Sequence, residues 1–307
     1  MGISGRIIKA VSGFYYVKPD RGQETEVLPK DGNVYQCRAK GIFRKKKLSP
    51  LVGDRVVMEL TATDDVEGNV TEISDRKNSL IRPQVANVDQ ALLIFAMHTP
   101  EPAPDLIDRF LVLMKKSGID VILIFNKNDL GNDIEIEKYK SIYKDAGIRL
   151  IFTSTIDGSG VPEVREILKN SVTTVAGPSG AGKSSLINAV SGREIMVTGE
   201  VSRKIGRGKQ TTRHVELVEI EEDSYIIDTP GFSSLELPEM EPLELQDSFP
   251  EIGRYKNECY FAGCSHISEP DCGVRDRLAK GLIPKERYDS YVLFYNDLVT
   301  LQNRRFR

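Results

Sequence analysis

The sequence predicts a multidomain chain with an N-terminal β-barrel, a central α/β domain and a small α-helical C-terminal module. Three observations carry that division. The first 75 residues break into short apolar runs separated by turn signals. From Val88 onward, apolar strand segments alternate with amphipathic helical ones. The C-terminal region gathers three of the four cysteines around one histidine. The chain has 307 residues, which at ~150 per domain leaves room for two domains and a small third. The expected boundaries are 1–75, 76–236 and 237–307.

In the first segment the apolar runs lie at 6–11, 14–17 and 55–60, with turns at Asp31-Gly32-Asn33 and Glu67-Gly68-Asn69. Their spacing suits a small barrel, and an OB-fold is the expected topology. A connector containing Pro83 follows at 77–87. Residues 88–95 read as a buried strand, broken by the proline-rich stretch 99–104. Asp105 is placed to cap a helix that buries Leu106, Ile107, Phe110, Leu111, Leu113 and Met114, and Gly118 stops it. Further strands are expected at 121–125, 148–152, 172–176 and 225–227, so the central domain should hold a largely parallel sheet. Ligands of such sheets bind beyond the carboxyl ends of the strands. After Glu236 come an acidic stretch to Glu251, the cysteine cluster and a helix over about 285–301.

Composition excludes several classes. Forty-two basic and 45 acidic residues give a net charge of −3, with 40% hydrophobic and 28% charged residues, as in a soluble globular chain. The longest wholly apolar run, 91–97, is far short of the ~20 residues that span a bilayer. The N-terminus lacks a signal-peptide core, and Arg6 stands where myristoylation wants Ser or Thr. A cytoplasmic location is expected.

The strand ends carry the chemistry. Residues 172–176 lead into Gly177-Pro178-Ser179-Gly180-Ala181-Gly182-Lys183-Ser184, a G-x-x-x-x-G-K-[ST] phosphate loop. Its glycines let successive N–H groups face phosphate, Lys183 reaches the β- and γ-phosphates, and Ser184 ligates Mg²⁺. A helix beginning at Ser185 turns its positive end to the anion. Residues 121–125 lead into Asn126-Lys127-Asn128-Asp129. A buried Asp129 would accept from the ring N–H and amine of guanine, and adenine would leave it unpaired. Asn126 would hold the base edge and nearby loops, and the Lys127 stem would cover a ring face. Thr153-Ser154 can offer a backbone N–H to the guanine oxygen.

Residues 225–227 lead into Asp228-Thr229-Pro230-Gly231. There Asp228 suits water-mediated Mg²⁺ binding, and the Gly231 N–H suits the γ-phosphate. In the basic stretch 203–213, Thr212 is the better placed of Thr211 and Thr212 to close over Mg²⁺ and the γ-phosphate. An ordinary flexible loop is the competing reading there. The guanine motif precedes the phosphate loop, the reverse of the usual order, so the core is circularly permuted.

Cys259, Cys264, His266 and Cys272 form a three-thiolate, one-imidazole set suited to one structural Zn²⁺ with no open position. Two disulfides or buried free thiols are the alternatives. Cys37 reads as a buried small residue, and neither His98 nor His214 has an evident partner. Arg38, Lys40, Arg44, Lys45, Lys46 and Lys47 form a basic barrel loop. Arg203, Lys204, Arg207, Lys209 and Arg213 form a second patch, and Arg304, Arg305 and Arg307 a third. Together with the zinc module they point to RNA.

These motifs together resemble the RsgA family, also called YjeQ or YloQ, of circularly permuted GTPases. The residues carrying the resemblance are Asn126 to Asp129, Gly177 to Ser185, Gly206-Arg207-Gly208-Lys209-Gln210-Thr211-Thr212, Asp228-Thr229-Pro230-Gly231-Phe232-Ser233 and the Cys/His set. The resemblance covers essentially the whole chain. It implies an OB-fold, a permuted GTPase domain and a zinc domain. It also implies a cytoplasmic factor in late small (30S) subunit maturation whose GTP hydrolysis the subunit stimulates. The family commonly has histidine, a proposed catalytic residue, where this chain has Gln210. An amide can orient water but cannot carry a proton near neutral pH. Catalytic roles therefore fall on Lys183, Thr212 and, through water alone, Gln210. A monomer is expected, with GTP or GDP, Mg²⁺, Zn²⁺ and small-subunit rRNA as its partners. The alternative is a GTP-gated rRNA-binding module in which hydrolysis is incidental. A nucleotide-metabolism enzyme would need a second-substrate motif, and none is evident.

Overall fold

A computed structural model describes residues 2–23, 29, 33–41, 43, 48–61, 67–80, 83–196, 215–228 and 236–305. The chain divides into two compact units, one of residues 1–90, 165–175 and 191–232, the other of 91–164, 176–190 and 233–307.

Five strands open the first unit: β1 (Ile3–Val11), β2 (Phe14–Pro19), β3 (Tyr35–Ala39), β4 (Arg55–Leu60) and β5 (Gly68–Ile73). They pair in the order β1-β2-β3-β5-β4, and β4 returns to β1, which closes the barrel. Only β3–β5 is parallel. Alternation along β1 buries Ile3, Gly5 and Ile7, the inward period of a half-buried strand. The Gly5 position is tight, since a Cβ there would lie 2.4 Å from the Lys18 carbonyl oxygen. A short ribbon, β6 (Ser79–Leu80) with β7 (Val85–Ala86), follows the barrel. The closed five-strand order is that of an OB-like barrel.

The central elements are β8 (Gln90–Ala96), α1 (Pro104–Lys116), β9 (Asp120–Asn126), α2 (Asp133–Tyr143), β10 (Arg149–Thr153), α3 (Val161–Leu168), β11 (Val172–Ala176) and α4 (Lys183–Ser191). Strands β12 (Glu216–Glu221) and β13 (Ser224–Asp228) follow. In the first unit β13 runs parallel to β11 and antiparallel to β12, and β12 meets β1 at Glu216↔Lys9. The Arg6 and Lys18 cations of the barrel each lie 5.6 Å from the Tyr225 ring centroid. Lys18 also pairs with Glu219, so charge and ring stacking seal that junction. In the second unit the order is β10-β9-β8, with β9 and β10 parallel. Ala91 to Ala96 are all buried, as in a strand covered on both faces.

Helix α1 starts one residue before the expected cap. Ala103 is its N-cap and Pro104 its first residue, a position whose missing N–H costs nothing. Its buried set also differs, because Asp108 and Val112 are buried whereas Leu106 and Leu113 are only partly covered. The helix has a second buried face. Val112 joins the core of the C-terminal module, and Asp108 pairs with the fully buried Arg287. That module consists of α5 (Pro250–Gly253), α6 (Gly273–Ala279) and α7 (Lys285–Arg305), packed around Phe249, Tyr291 and Phe294. No helix among the described residues is long and apolar enough to cross a membrane.

Candidate nucleotide and metal sites

The phosphate loop joins β11 to α4 in the expected strand–loop–helix setting. Two of its glycines are required by close approach. Gly177 has φ +139°, and a Cβ would sit 2.0 Å from the Ile94 carbonyl oxygen. Gly182 has φ +87°, and a Cβ would meet Asn126 Nδ2 at 2.3 Å. The Lys183 ammonium donates to the carbonyls of Gly177 (2.9 Å) and Pro178 (2.7 Å), which holds it over the loop. Burial lowers its pKa. Helix α4 begins at Lys183, so the Ser184 and Ser185 amides belong to its first turn, the end of a helix that favours an anion.

Asn126 ends β9 and is 1% exposed. Its Nδ2 donates to the Ala181 carbonyl at 3.0 Å, and its Oδ1 accepts from Thr153 Oγ1 at 3.0 Å. Both ends of this amide brace protein loops, so it holds the phosphate loop against the guanine-motif strand. The next residue, Lys127, adopts φ +60° and starts the 3₁₀ turn Asn128–Leu130. Its ammonium donates to the Thr99 carbonyl at 2.7 Å. Asp129 projects from that turn and is exposed, not buried as expected. No buried environment there would penalise an unpaired carboxylate in advance.

Thr153 and Ser154 are both fully buried. The Ser154 N–H donates to the Ser159 carbonyl at 3.0 Å, so it is engaged within its own loop. Ser154 Oγ accepts from Ile156 N–H at 3.1 Å, which fixes the turn above β10. His98, without an evident partner in sequence, lies 3.2 Å from Glu135. Asp228 closes β13 opposite Glu216, and its side chain lies outside the described residues. Gln210, Thr212, Gly231 and His214 also lie outside them, as do the 203–213 patch and Arg44 to Lys47. Of the barrel patch, Arg38 stacks 4.9 Å from the Phe14 ring and Lys40 pairs with Glu59 at 2.7 Å.

The Cys/His set converges as the spacing implied. The ligand atoms of Cys259, Cys264, His266 and Cys272 all lie within 4.8 Å of one another. All four cysteines are free, which removes the disulfide alternative. Cys259 and Cys272 sulfurs are 3.8 Å apart, and His266 Nδ1 is 3.4 and 3.6 Å from them. A tetrahedron with ~2.3 Å metal–sulfur bonds has edges of about 3.8 Å, so the set fits a zinc-sized cation. His266 Nε2 faces Gln246 Oε1 at 3.0 Å, which fixes the tautomer and leaves Nδ1 free to ligate. Glu269 accepts from the N–H groups of Ser265, Ile267 and Ser268, which outweigh its burial and hold its pKa near 2. Tyr288 and Tyr291 of α7 donate to the His266 and Ser265 carbonyls. Gln246 and Glu269 were not singled out in sequence, because a side chain that orients a ligand carries no spacing rule. Burial pushes the Cys264 thiol up to about 12, so a cation would have to supply the energy that ionises it.

The phosphate loop, an Asn-Lys-x-Asp turn and the buried amide joining them define a phosphate-loop GTP-binding domain of permuted motif order. The chain belongs to the RsgA GTPase family. The family model described as RsgA GTPase matches residues 73–238, and that described as the RsgA N-terminal domain matches 4–70. The small ribosomal subunit biogenesis GTPase RsgA of Agathobacter rectalis is 47% identical over 300 residues, 98% of this chain and 99% of the relative. That of Geobacillus kaustophilus is 46% identical over 96% of this chain and 97% of its own. Among solved structures, YjeQ from Thermotoga maritima is similar with a TM-score of 0.81 and 32% identity, covering 97% of this chain and 99% of its own. YloQ, a circularly permuted GTPase, gives 0.77 and 37%, covering 98% and 96%.

Proposed function

We propose that this chain is a GTPase of small ribosomal subunit biogenesis. It hydrolyses GTP to GDP and phosphate in the cytoplasm, acts as a monomer and is stimulated by the subunit it binds. The observation that carries the reading is the Asn126 amide, one buried side chain that fixes the guanine motif to the phosphate loop. The relatives' shared name supplies the subunit.

Asp129 accepts the guanine ring N–H and amine, and the Lys127 stem covers a ring face. Because the Ser154 N–H is engaged, the donor to the guanine oxygen passes to the next N–H along the loop, that of Thr155. The phosphate-loop amides and Lys183 take the phosphates. Ser184 and Thr212, with Asp228 through water, would hold Mg²⁺, which supplies charge neutralisation on the phosphates. The Gly231 N–H meets the γ-phosphate, and Gln210 orients water through its amide. Catalysis is then positioning and charge stabilisation, with slow turnover in the isolated protein. The boundaries 1–75, 76–236 and 237–307 separate an rRNA-facing barrel, the GTPase domain and the zinc module. Cys259, Cys264, His266 and Cys272 hold one structural Zn²⁺.

Gln210 in place of the family's histidine supports a second reading, a GTP-gated rRNA-binding module. Single-turnover hydrolysis with and without purified small subunits separates the two. The GTPase reading expects stimulation. Binding that depends on GTP while hydrolysis stays unstimulated would replace it with the module.

A further inference from the structure

The hairpin of β12 and β13 has a special place in the chain. The basic stretch 203–213 ends just before β12 begins at Glu216, and β13 ends at Asp228. The hairpin therefore separates the two segments assigned to Mg²⁺ and the γ-phosphate. Its strands pair through Leu217↔Ile227 and Glu219↔Tyr225. Strand β13 lies parallel to β11 through Val172↔Tyr225, so a shift of the hairpin along its axis carries Asp228 with it past β11.

Barrel side chains hold that hairpin. Among the described residues β1 meets β12 at the single position Lys9↔Glu216, so no long backbone ladder locks the two together. Lys9 pairs with Glu216 at 3.0 Å, Lys18 with Glu219, and Arg21 with Asp223 at 3.2 Å. The Lys9 and Arg21 pairs are exposed and contribute little. The Lys18 pair is better shielded, and Glu219 Oε1 also accepts from the Asp223 N–H at 3.2 Å, which ties the carboxylate to the hairpin turn. Tyr225 is 4% exposed, and the cations of Arg6 and Lys18 both lie 5.6 Å from its ring centroid. Arg6 Nη1 is buried without a hydrogen-bond partner among the described residues, and an aromatic face within reach offsets part of that cost. The barrel thus grips β13 at one ring, three residues before Asp228.

We propose that Tyr225, clamped by Arg6 and Lys18 of the barrel, is a positioning residue that passes engagement of the barrel to Asp228 and so sets the rate of GTP hydrolysis in the subunit-bound state. The proposal rests on the reading that the chain is a subunit-stimulated GTPase whose barrel faces rRNA and whose Asp228 holds Mg²⁺ through water. Tyr225 touches no nucleotide in this scheme and acts only through the strand that carries Asp228.

The test titrates GTP turnover of the full-length, zinc-loaded protein with purified small subunits. Each variant yields a half-saturating subunit concentration and a stimulated maximum. Lys18→Met removes one cation and keeps an unbranched stem, so it serves even where Tyr225→Leu fails to fold. Tyr225→Leu removes the ring, and Tyr225→Phe keeps it. For Lys18→Met and Tyr225→Leu the stimulated maximum is expected to fall about tenfold at an unchanged half-saturating concentration, and Tyr225→Phe is expected to retain most of it. A stimulated maximum left intact by Lys18→Met and Tyr225→Leu overturns the proposal. A change confined to the half-saturating concentration also overturns it, because the contact would then serve binding alone. Absence of stimulation in the unsubstituted protein overturns the functional reading and this proposal with it.

Discussion

Asn126 connects two motifs that lie 51 residues apart in the chain, from Asn126 to Gly177. Its amide donates to the phosphate loop and accepts from Thr153, with no solvent to replace either partner. Asn126→Ala strands the Ala181 carbonyl and the Thr153 hydroxyl, at about 1–3 kcal/mol for each group left unsatisfied. GDP affinity by calorimetry should fall at least about tenfold. An unchanged affinity would show that the brace does not position the loop. The role proposed for Asp129 is different, since it would act through the base itself. Asp129→Asn loses the double acceptor and gains a donor, so preference should move from guanine to xanthine nucleotides in competition binding. Retained guanine preference would refute its role. The motif letters gave these residues readily. They did not give Asp129 its exposure, because burial depends on the turn set by Lys127 at φ +60°. The engaged Ser154 N–H was equally illegible, since its acceptor is a carbonyl that any residue could supply.

At the scale of elements, α1 is built for two partners. One face packs the sheet side through Ile107 and Phe110, and Phe110 meets Phe95 edge to face. The other carries Asp108 to Arg287, which also binds Glu251 and lies 4.5 Å from the Phe249 ring. Arg287→Met leaves two buried carboxylates without their cation, a loss of about 3–5 kcal/mol. Burial already raises Asp108, and the variant removes the cation that opposes that rise. With the Asp108 pKa above its unfolded value near 4, the folded variant binds more protons, so its stability should fall as pH rises through that raised pKa. A pH-independent denaturation midpoint would contradict this. The zinc elements make a separate prediction. Chelation, or Cys264→Ala, should open residues 237–307 to protease while the barrel stays resistant. An unaltered cleavage pattern would remove the metal from the fold. Hydrophobic period made α1 readable as a helix, but the Asp108–Arg287 pair joins residues 179 positions apart and leaves no local trace. Strand β12 escaped notice because its glutamates dilute the apolar alternation around Leu217 and Ile220.

For the whole molecule, the permuted order has a topological consequence. The Asp228–Gly231 segment runs on into the C-terminal module instead of back into the nucleotide core. Compact packing places residues 233–307 in one unit with the guanine motif and the phosphate loop. The barrel, β12 and β13 form the other. The near-neutral charge sums stretches of opposite sign, the basic barrel loop and the acidic run 236–251, so the overall figure concealed how unevenly the charge is placed. Motif order was legible at this scale because strand–loop–helix settings mark each motif locally. The packing of the C-terminal module against α1 was not, since it rests on long-range burial.

The central claim is a nucleotide site switched on by the subunit, and steady-state GTP turnover titrated with purified small subunits at two salt concentrations tests it most directly. The account predicts slow turnover alone, saturable stimulation by the subunit and a steep loss of that stimulation at higher salt, as phosphate contacts on the barrel side weaken. Rapid hydrolysis by the isolated protein, unchanged by subunits at either salt, would contradict it.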